Sequence, residues 1–415
     1  MKKRFLAWYA DGLFRNSLYL LLATGVMAGF GFFFWLLASR IFSPADVGLA
    51  TTLIAVMNLI AMLSLLGFDT ALVRFLPSTT HKDATINTGM LVVAAAAVLI
   101  AGVFLALVGV LAPVLLFIRA GVVLPLIFIF LCAATALNIL TDSIFLAHRA
   151  AKYTFIINTL FSASRIVLLL CFVHSGTVGI FLAVGVSQTI GLVLSVLVLL
   201  RSFAYVPAVQ IDAQVLRRVG GYSAGNYVAG ILNLLPATIL PIMIIDTLGP
   251  AKAAFFSIAM MIGNLLYAVP WTTTRSLFAE GSRDPETLAA NVRKSLKLMA
   301  AVMVPAVVVL CVGGGLLLSM FGKAYSVEGF RFLQLVAVTG LAVCALSLLE
   351  TYFRVVGNSN WLIIINIFYM GTICGLGYVL LPFGLAGIGV AWLAGHVVAS
   401  VVSYLLLRTC RTTAA

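Results

Sequence analysis

The chain has 415 residues, 63% of them hydrophobic and 9% charged, with a mean hydropathy of +1.19. Water-soluble folds run nearer ~45–50% apolar and ~25% charged, so that class is excluded. Twelve bilayer-crossing helices of ~20 residues each would leave no room for a folded soluble domain. The balance of 25 Lys+Arg against 12 Asp+Glu, a formal +13, reads in such a chain as a topology signal before it reads as nucleic-acid affinity, and no nucleic-acid partner is expected.

The N-terminal Met1-Lys2-Lys3-Arg4 resembles the basic start of a signal peptide. The apolar run at 17–39 is too long for that and lacks a small-x-small cleavage site, so it reads as a retained first span. Lys2, Lys3 and Arg4, interleaved with Phe5, Leu6, Trp8 and Phe14, read as an interfacial segment. Further apolar runs predict spans at 45–73, 87–112, 121–143, 153–174, 177–200, 222–248, 252–279, 296–320, 329–352, 361–381 and 385–407. A membrane β-barrel would need alternating segments, and the run Val92–Ile100 does not alternate. The fold class is therefore an all-α polytopic membrane protein with 12 transmembrane helices. Nineteen basic residues fall on the side of the N-terminus and five on the other, which places both termini in the cytoplasm. Arg165 belongs to neither group because it lies within a span. The six cysteines sit in apolar runs or the tail and form no disulfide framework.

The chain is internally duplicated. Ser43-Pro44-Ala45-Asp46 aligns with Gly249-Pro250-Ala251-Lys252, and Asn58 with Asn264, at an offset of 206. Asp142, Phe145, Asn158 and Phe161 align with Glu350, Phe353, Asn366 and Tyr369 at an offset of 208, as do Gly179-Ile180 with Gly387-Ile388 and Ser195 with Ser403. Two offsets differing by a small indel across six helices define an N-terminal half at 1–205 and a C-terminal half at 206–415, with Arg201–Arg218 as the linker. Six is an even number, so the halves are parallel repeats. Parallel repeats are a transporter architecture, with substrate bound near the midplane between rocking halves.

Ser39-Arg40-Ile41-Phe42-Ser43-Pro44-Ala45-Asp46-Val47-Gly48 resembles the turn between the first two helices in the polysaccharide and O-antigen flippase branch of the multidrug/oligosaccharidyl-lipid/polysaccharide (MOP) exporter superfamily. Gly67-Phe68-Asp69-Thr70-Ala71-Leu72-Val73-Arg74-Phe75 is similar to that branch's end of the second helix. Ser43 stands where Gly is usual, and Val47 where an aromatic residue is common. The resemblance implies the MATE-like MOP fold. It also implies transport of a polyprenyl-pyrophosphate-linked oligosaccharide from the inner to the outer leaflet of the bacterial inner membrane, for lipopolysaccharide O-antigen or related polysaccharides. The partners it implies are that anionic lipid-linked saccharide, membrane lipids, and polysaccharide polymerase or assembly proteins.

Among single residues Arg165 stands first. It lies about twelve residues into its predicted span, roughly 12–18 Å from either interface. Arginines at such depth face a cavity or a partner, and the planar guanidinium suits a phosphate bidentately. The structural alternative is an arginine bonded to backbone carbonyls or water. Asn158 and Ser162 share its helical face. Arg15, Arg74, Arg149, Arg275 and Arg354 fall at predicted cytoplasmic span ends, either as an entry ring for pyrophosphate or as ordinary positive-inside anchors. Asp69, Asp142 and Glu350 are candidates for proton coupling, against ion pairing or helix capping. In span 7, Asn233 and Asn226 offer neutral contacts to sugar, and Pro236 and Pro241 kink the helix. Gly25 and Gly29 of span 1 supply either flexibility or a GxxxG packing face. His148 and His396 lack metal-ligand spacing and read as structural. There is no Walker A loop, HExxH or triad, so no cofactor, metal or catalytic residue is expected and the chain does not read as an enzyme. The competing readings are a MATE-type drug/cation antiporter, which would need carboxylates in span 1, and a membrane glycosyltransferase or ligase, which would need a large external loop.

Overall fold

A computed structural model of the chain describes residues 12–281, 288–356 and 359–413, with side chains at 19–20, 22–219, 227–274, 277, 291–355 and 360–408. All regular structure among these residues is helical. The helices are α1 (Gly12–Ile41), α2 (Pro44–Ser64), α3 (Phe68–Phe75), α4 (Lys82–Leu111), α5 (Val123–Ala147), α6 (Ala151–Cys171) and α7 (Gly176–Ser202). They continue as α8 (Ala213–Thr247), α9 (Pro250–Gly281), α10 (Leu288–Ser319), α11 (Lys323–Val356), α12 (Ser359–Leu380) and α13 (Gly384–Thr413). Each of the twelve expected spans has its helix. Of the helices, α3, with 8 residues, is too short to cross a bilayer.

The second span departs from the continuous 45–73 that hydropathy suggested. Its helix starts on a capping box, in which the Asp46 amide donates to Ser43 Oγ at 3.1 Å and the Ser43 hydroxyl donates to the Asp46 carboxylate at 2.6 Å. Pro44 occupies the first helical position, where no amide is needed. The helix then stops at Ser64, because Leu66 (φ 48°) and Gly67 (φ 81°) turn left-handed, a conformation glycine adopts without cost. The next eight residues form α3, which buries Phe68, Ala71 and Leu72 and leaves Arg74 exposed.

The fold divides into two compact units, one comprising the described residues up to Phe42 with Leu53–Tyr227, the other Ser43–Thr52 with the described residues from Val228 onward. The first unit is built inside-out. Helix α4 buries Val93, Ala97, Ala101 and Val108 along one stripe, while Val98, Leu99, Val103 and Val110 are exposed on the other, as suits hydrocarbon outside and close packing within. In the second unit, α9 and α11 pack through Phe255, Phe256, Tyr267, Tyr325 and Phe332, all buried. Gln334 Nε2 donates to the Cys311 carbonyl at 2.9 Å, tying α11 to α10. The first turn of α2 lies against α9 so closely that a Cβ on Gly48 would stand 1.7 Å from the Pro250 carbonyl oxygen. By contrast, a Cβ on Gly25 or Gly29 would meet nothing within 4 Å among the described residues.

Between α7 and α8 runs an irregular segment over 203–212. It is fastened to the first turns of α4. Asn87 Oδ1 accepts the Ala208 amide at 3.1 Å and the Tyr205 hydroxyl, and Asn87 Nδ2 donates to the Val206 carbonyl at 3.1 Å. One residue on, Thr88 Oγ1 accepts the Asp212 amide at 2.9 Å. Tyr205 is buried beside Phe145 and Ile144 in the unit's core, and burial, with Asp83 nearby, holds its hydroxyl above the ordinary pKa range, as a neutral donor.

Candidate functional site: a polar ladder ending at Arg165

Helices α5, α6 and α7 carry polar side chains into an otherwise apolar bundle. On α5, buried Asn138 donates from Nδ2 to Oε1 of half-buried Gln188 on α7 at 2.7 Å, joining two side-chain amides across the helices. One turn later on α5, the Asp142 carboxylate faces the Asn158 amide of α6. Asn158, Ser162 and Arg165 then follow at helical spacing along α6, the first two buried and the third half-buried. Arg165 sits deeper toward the far end than the sequence implied: α6 spans Ala151–Cys171, which puts it ~21 Å from the start of the helix and ~9 Å from its end.

Arg165 donates from Nε to Ser187 Oγ at 3.4 Å, too long for a strong bond. Ser187 gives its own proton to the Val184 carbonyl at 2.6 Å, which leaves its lone pairs toward the guanidinium. The guanidinium carbon stands 5.7 Å from the Phe34 ring centroid of α1 and 5.8 Å from that of Phe161. Two aromatic faces therefore hold the cation. No carboxylate pairs with it among the described residues. The site is a positioned cation whose terminal nitrogens have no hydrogen-bond or ion-pair partner among the described residues. Sequence reasoning found Arg165 but not its setting. Phe161, one turn below, was the available signal, whereas Phe34 and Ser187 lie on other helices and left none.

The second unit carries the same ladder with different contents. Asn366, the counterpart of Asn158, accepts from Asn233 Nδ2 at 3.1 Å and donates to the Leu362 carbonyl at 2.8 Å. The Asn233 side chain is thus engaged by a second amide. Glu350, the counterpart of Asp142, pairs with Arg354 at 3.5 Å, one helical turn away. Arg165 and Ser187 have as counterparts Ile373 and Gly395, packed so tightly that a Cβ on Gly395 would come within 2.2 Å of Ile373. His396, where the first repeat has Gln188, is buried among Tyr369, Trp392 and Tyr267, with ring centroids at 5.0, 5.1 and 6.3 Å. His148 packs on Phe203 at 4.8 Å.

The other expected site residues are dispersed. Arg74 is exposed on α3, its guanidinium 5.7 Å from the Phe75 ring. Arg149 is exposed in the left-handed turn between α5 and α6 (φ 53°). The side chains of Arg15, Arg275 and Asn226 lie outside the described residues. Asp69 is half-buried on α3, outside the candidate spans. Burial pushes its carboxyl above the ordinary range, against the opposing pull of its own and the Thr70 backbone amides. Asn58 and Asn264 are both exposed, at equivalent points of α2 and α9.

Helices long and apolar enough to cross a membrane, packed in two compact units, make this a multi-pass membrane protein. The family model described as polysaccharide biosynthesis protein matches residues 13–278, more than half of the chain, and the chain belongs to that family. A comparison with curated proteins found no match. Among solved structures, the chain is similar to the lipid II flippase MurJ in an inward closed conformation (TM-score 0.76, 11% identity, covering 94% of this chain and 87% of that one). It is also similar to a multidrug resistance MATE family transporter of the MOP superfamily, facing inward (TM-score 0.68, 17% identity, 96% and 95% covered). A third is a MOP superfamily transporter from Pyrococcus furiosus (TM-score 0.66, 17% identity, 96% and 95% covered). At these identities the likeness is one of fold. Family and fold together make the protein a member of the MOP exporter superfamily.

Proposed function

We propose that this protein is a flippase for an anionic lipid-linked saccharide. Its cargo is a polyprenyl-pyrophosphate-linked oligosaccharide destined for O-antigen or another cell-surface polysaccharide. It carries that cargo from the inner to the outer leaflet of a bacterial inner membrane by alternating access, with both termini cytoplasmic, and it transports rather than catalyses. The observation that carries the reading is Arg165, a cation within a span, gripped by two phenyl faces and without a carboxylate partner among the described residues. Such a cation needs a counter-charge, and the cargo's diphosphate supplies it. Membership of the polysaccharide biosynthesis family supports the saccharide part. Arg74, Arg149 and Arg354, with Arg15 and Arg275, are the entry cations of this scheme. Asn158 and Asn233 contact sugar, and Asp69, Asp142 and Glu350 are its coupling carboxylates. The test is Arg165→Ala in proteoliposomes carrying lipid-linked saccharide: translocation is lost while membrane insertion is intact, and full transport by this variant removes Arg165 from the mechanism.

A further inference from the structure

At the basic end of the second unit, α9 and α10 line an open cavity of about 370 Å3. It lies where both helices leave their apolar spans, Pro250–Thr274 and Asn291–Ser319, at the level of lipid headgroups. The chemistry of its wall is two-sided. Thr272 and Thr273 donate their hydroxyl protons back to the Ala268 and Val269 carbonyls, each at 2.8 Å, and so face outward as acceptors only. Opposite them on α10, Lys294 and Ser295 have no hydrogen-bond or ion-pair partner among the described residues. A fitting ligand therefore carries an anion for Lys294 and Ser295 and hydroxyl donors for the two threonines. From the cavity an apolar track continues along α10 through Leu298 and Val302, exposed by 59% and 45%, and Trp271 stands exposed at the rim.

We propose that this cavity binds the headgroup of an anionic, hydroxyl-bearing phospholipid of the adjoining leaflet, with chemistry of the phosphatidylglycerol type. The phosphodiester meets Lys294 and Ser295, and the glycerol hydroxyls donate to Thr272 and Thr273. One acyl chain follows Leu298 and Val302. Basic pockets between transmembrane helices are the usual form of such sites. A volume of about 370 Å3, on the order of a dozen waters, has room for a glycerol phosphate, and the apolar track along α10 suits an acyl chain, which favours a bilayer lipid.

The experiment uses the full chain in phosphatidylcholine nanodiscs titrated with acyl-brominated phosphatidylglycerol or acyl-brominated phosphatidylcholine. The readout is the quenching of tryptophan fluorescence that is lost in Trp271→Phe. The glycerol lipid quenches at a lower mole fraction than the choline lipid, and Lys294→Gln with Ser295→Ala moves its midpoint up about tenfold, the loss of one charge-assisted hydrogen bond. Arg217→Gln, which removes an exposed basic charge from the other unit, leaves the midpoint in place. Equal quenching by the two lipids overturns the proposal. So does an unmoved midpoint in the Lys294/Ser295 variant, or an equal shift in Arg217→Gln, which would reveal diffuse surface charge. Displacement of the brominated glycerol lipid by a polyprenyl diphosphate at lower mole fraction than by unlabelled phosphatidylglycerol also overturns it, by assigning the cavity to cargo.

Discussion

Replacing Arg165 by glutamine, lysine or alanine separates an anion-binding arginine from a merely structural one. Its internal contacts are weak: one bond at 3.4 Å and two ring faces 5.7 and 5.8 Å away. Such cation–π contacts are worth ~0.5–2 kcal/mol each and position the group without neutralising it. A diphosphate contacting both terminal nitrogens adds two charge-assisted bonds of ~1.5–3 kcal/mol apiece, part of which is offset by desolvation. A net loss of about 3 kcal/mol in Arg165→Gln corresponds to roughly 100-fold in apparent affinity for the lipid-linked saccharide. Arg165→Lys keeps the charge and loses the planar fork, so it falls between, at about tenfold. Ser187→Ala, which removes only the long contact, changes transport by less than about threefold. The assay is protection of a fluorescent lipid-linked saccharide from a membrane-impermeant reagent in proteoliposomes, with thermal unfolding measured in parallel. Unfolding of Arg165→Gln stays near wild type, because a charge lacking a carboxylate partner contributes little stability. Wild-type transport by the glutamine variant refutes the reasoning. So does a Ser187→Ala defect as large as that of Arg165→Gln, which would make the hydroxyl–guanidinium contact structural.

Three further outcomes test the scaffold. Asn87→Ala removes the acceptor for Tyr205 and Ala208 and the donor to Val206. It costs ~2–4 kcal/mol in thermal unfolding and speeds proteolysis within 203–212, and an unchanged profile would show that the linker is held elsewhere. Gly48→Ala sets a Cβ 1.7 Å from a backbone oxygen and lowers stability by ~3 kcal/mol or more. Gly25→Ala, in open space, is neutral or stabilising by ~0.5–1 kcal/mol, and equal effects at the two positions contradict the packing. For Asp69, the pKa is raised in the folded state, so the neutral acid is the stabilising form. Its contribution is complete below the ordinary 3.8 and is lost as pH rises through the folded value. Asp69→Asn therefore flattens the fall in melting temperature over that window, and a steeper fall in the variant reverses the sign of the argument.

Hydropathy made the twelve spans legible because hydrocarbon imposes length and apolarity on each helix separately. It could not reveal the left-handed turn at Leu66–Gly67, since two residues can reverse the backbone without changing the mean composition of the run. The Asn87–Tyr205 clamp joins residues 118 apart, and neither partner carries a local pattern that points to the other. Arg165 was visible because a charge within a span stands out against apolar neighbours. Its aromatic grip was hidden for the opposite reason, since phenylalanines such as Phe34 are ordinary in a membrane helix. The glycines of α1 show the same limit: their spacing leaves flexibility and packing as alternatives, and only the surrounding atoms can choose between them.

Positions paired by the sequence offset of 208 differ in how tightly packing constrains them. A Cβ on Gly179 would come 2.3 Å from the Phe172 carbonyl oxygen, and one on Gly387 2.0 Å from that of Leu380. Those are equivalent residues at the offset of 208, and no side chain fits at either, so both copies keep glycine. At Arg165 and Ser187 the constraint is weaker, because a long side chain beside a small one packs as well when it is Ile373 beside Gly395. The frame therefore tolerated divergence where side chains meet and resisted it where backbones meet. The cation sits on one repeat only, and the matching position on the other was filled with apolar bulk. A cargo with a single anionic headgroup needs one such cation, whereas a second within a span would carry the full cost of a buried charge with nothing to bind.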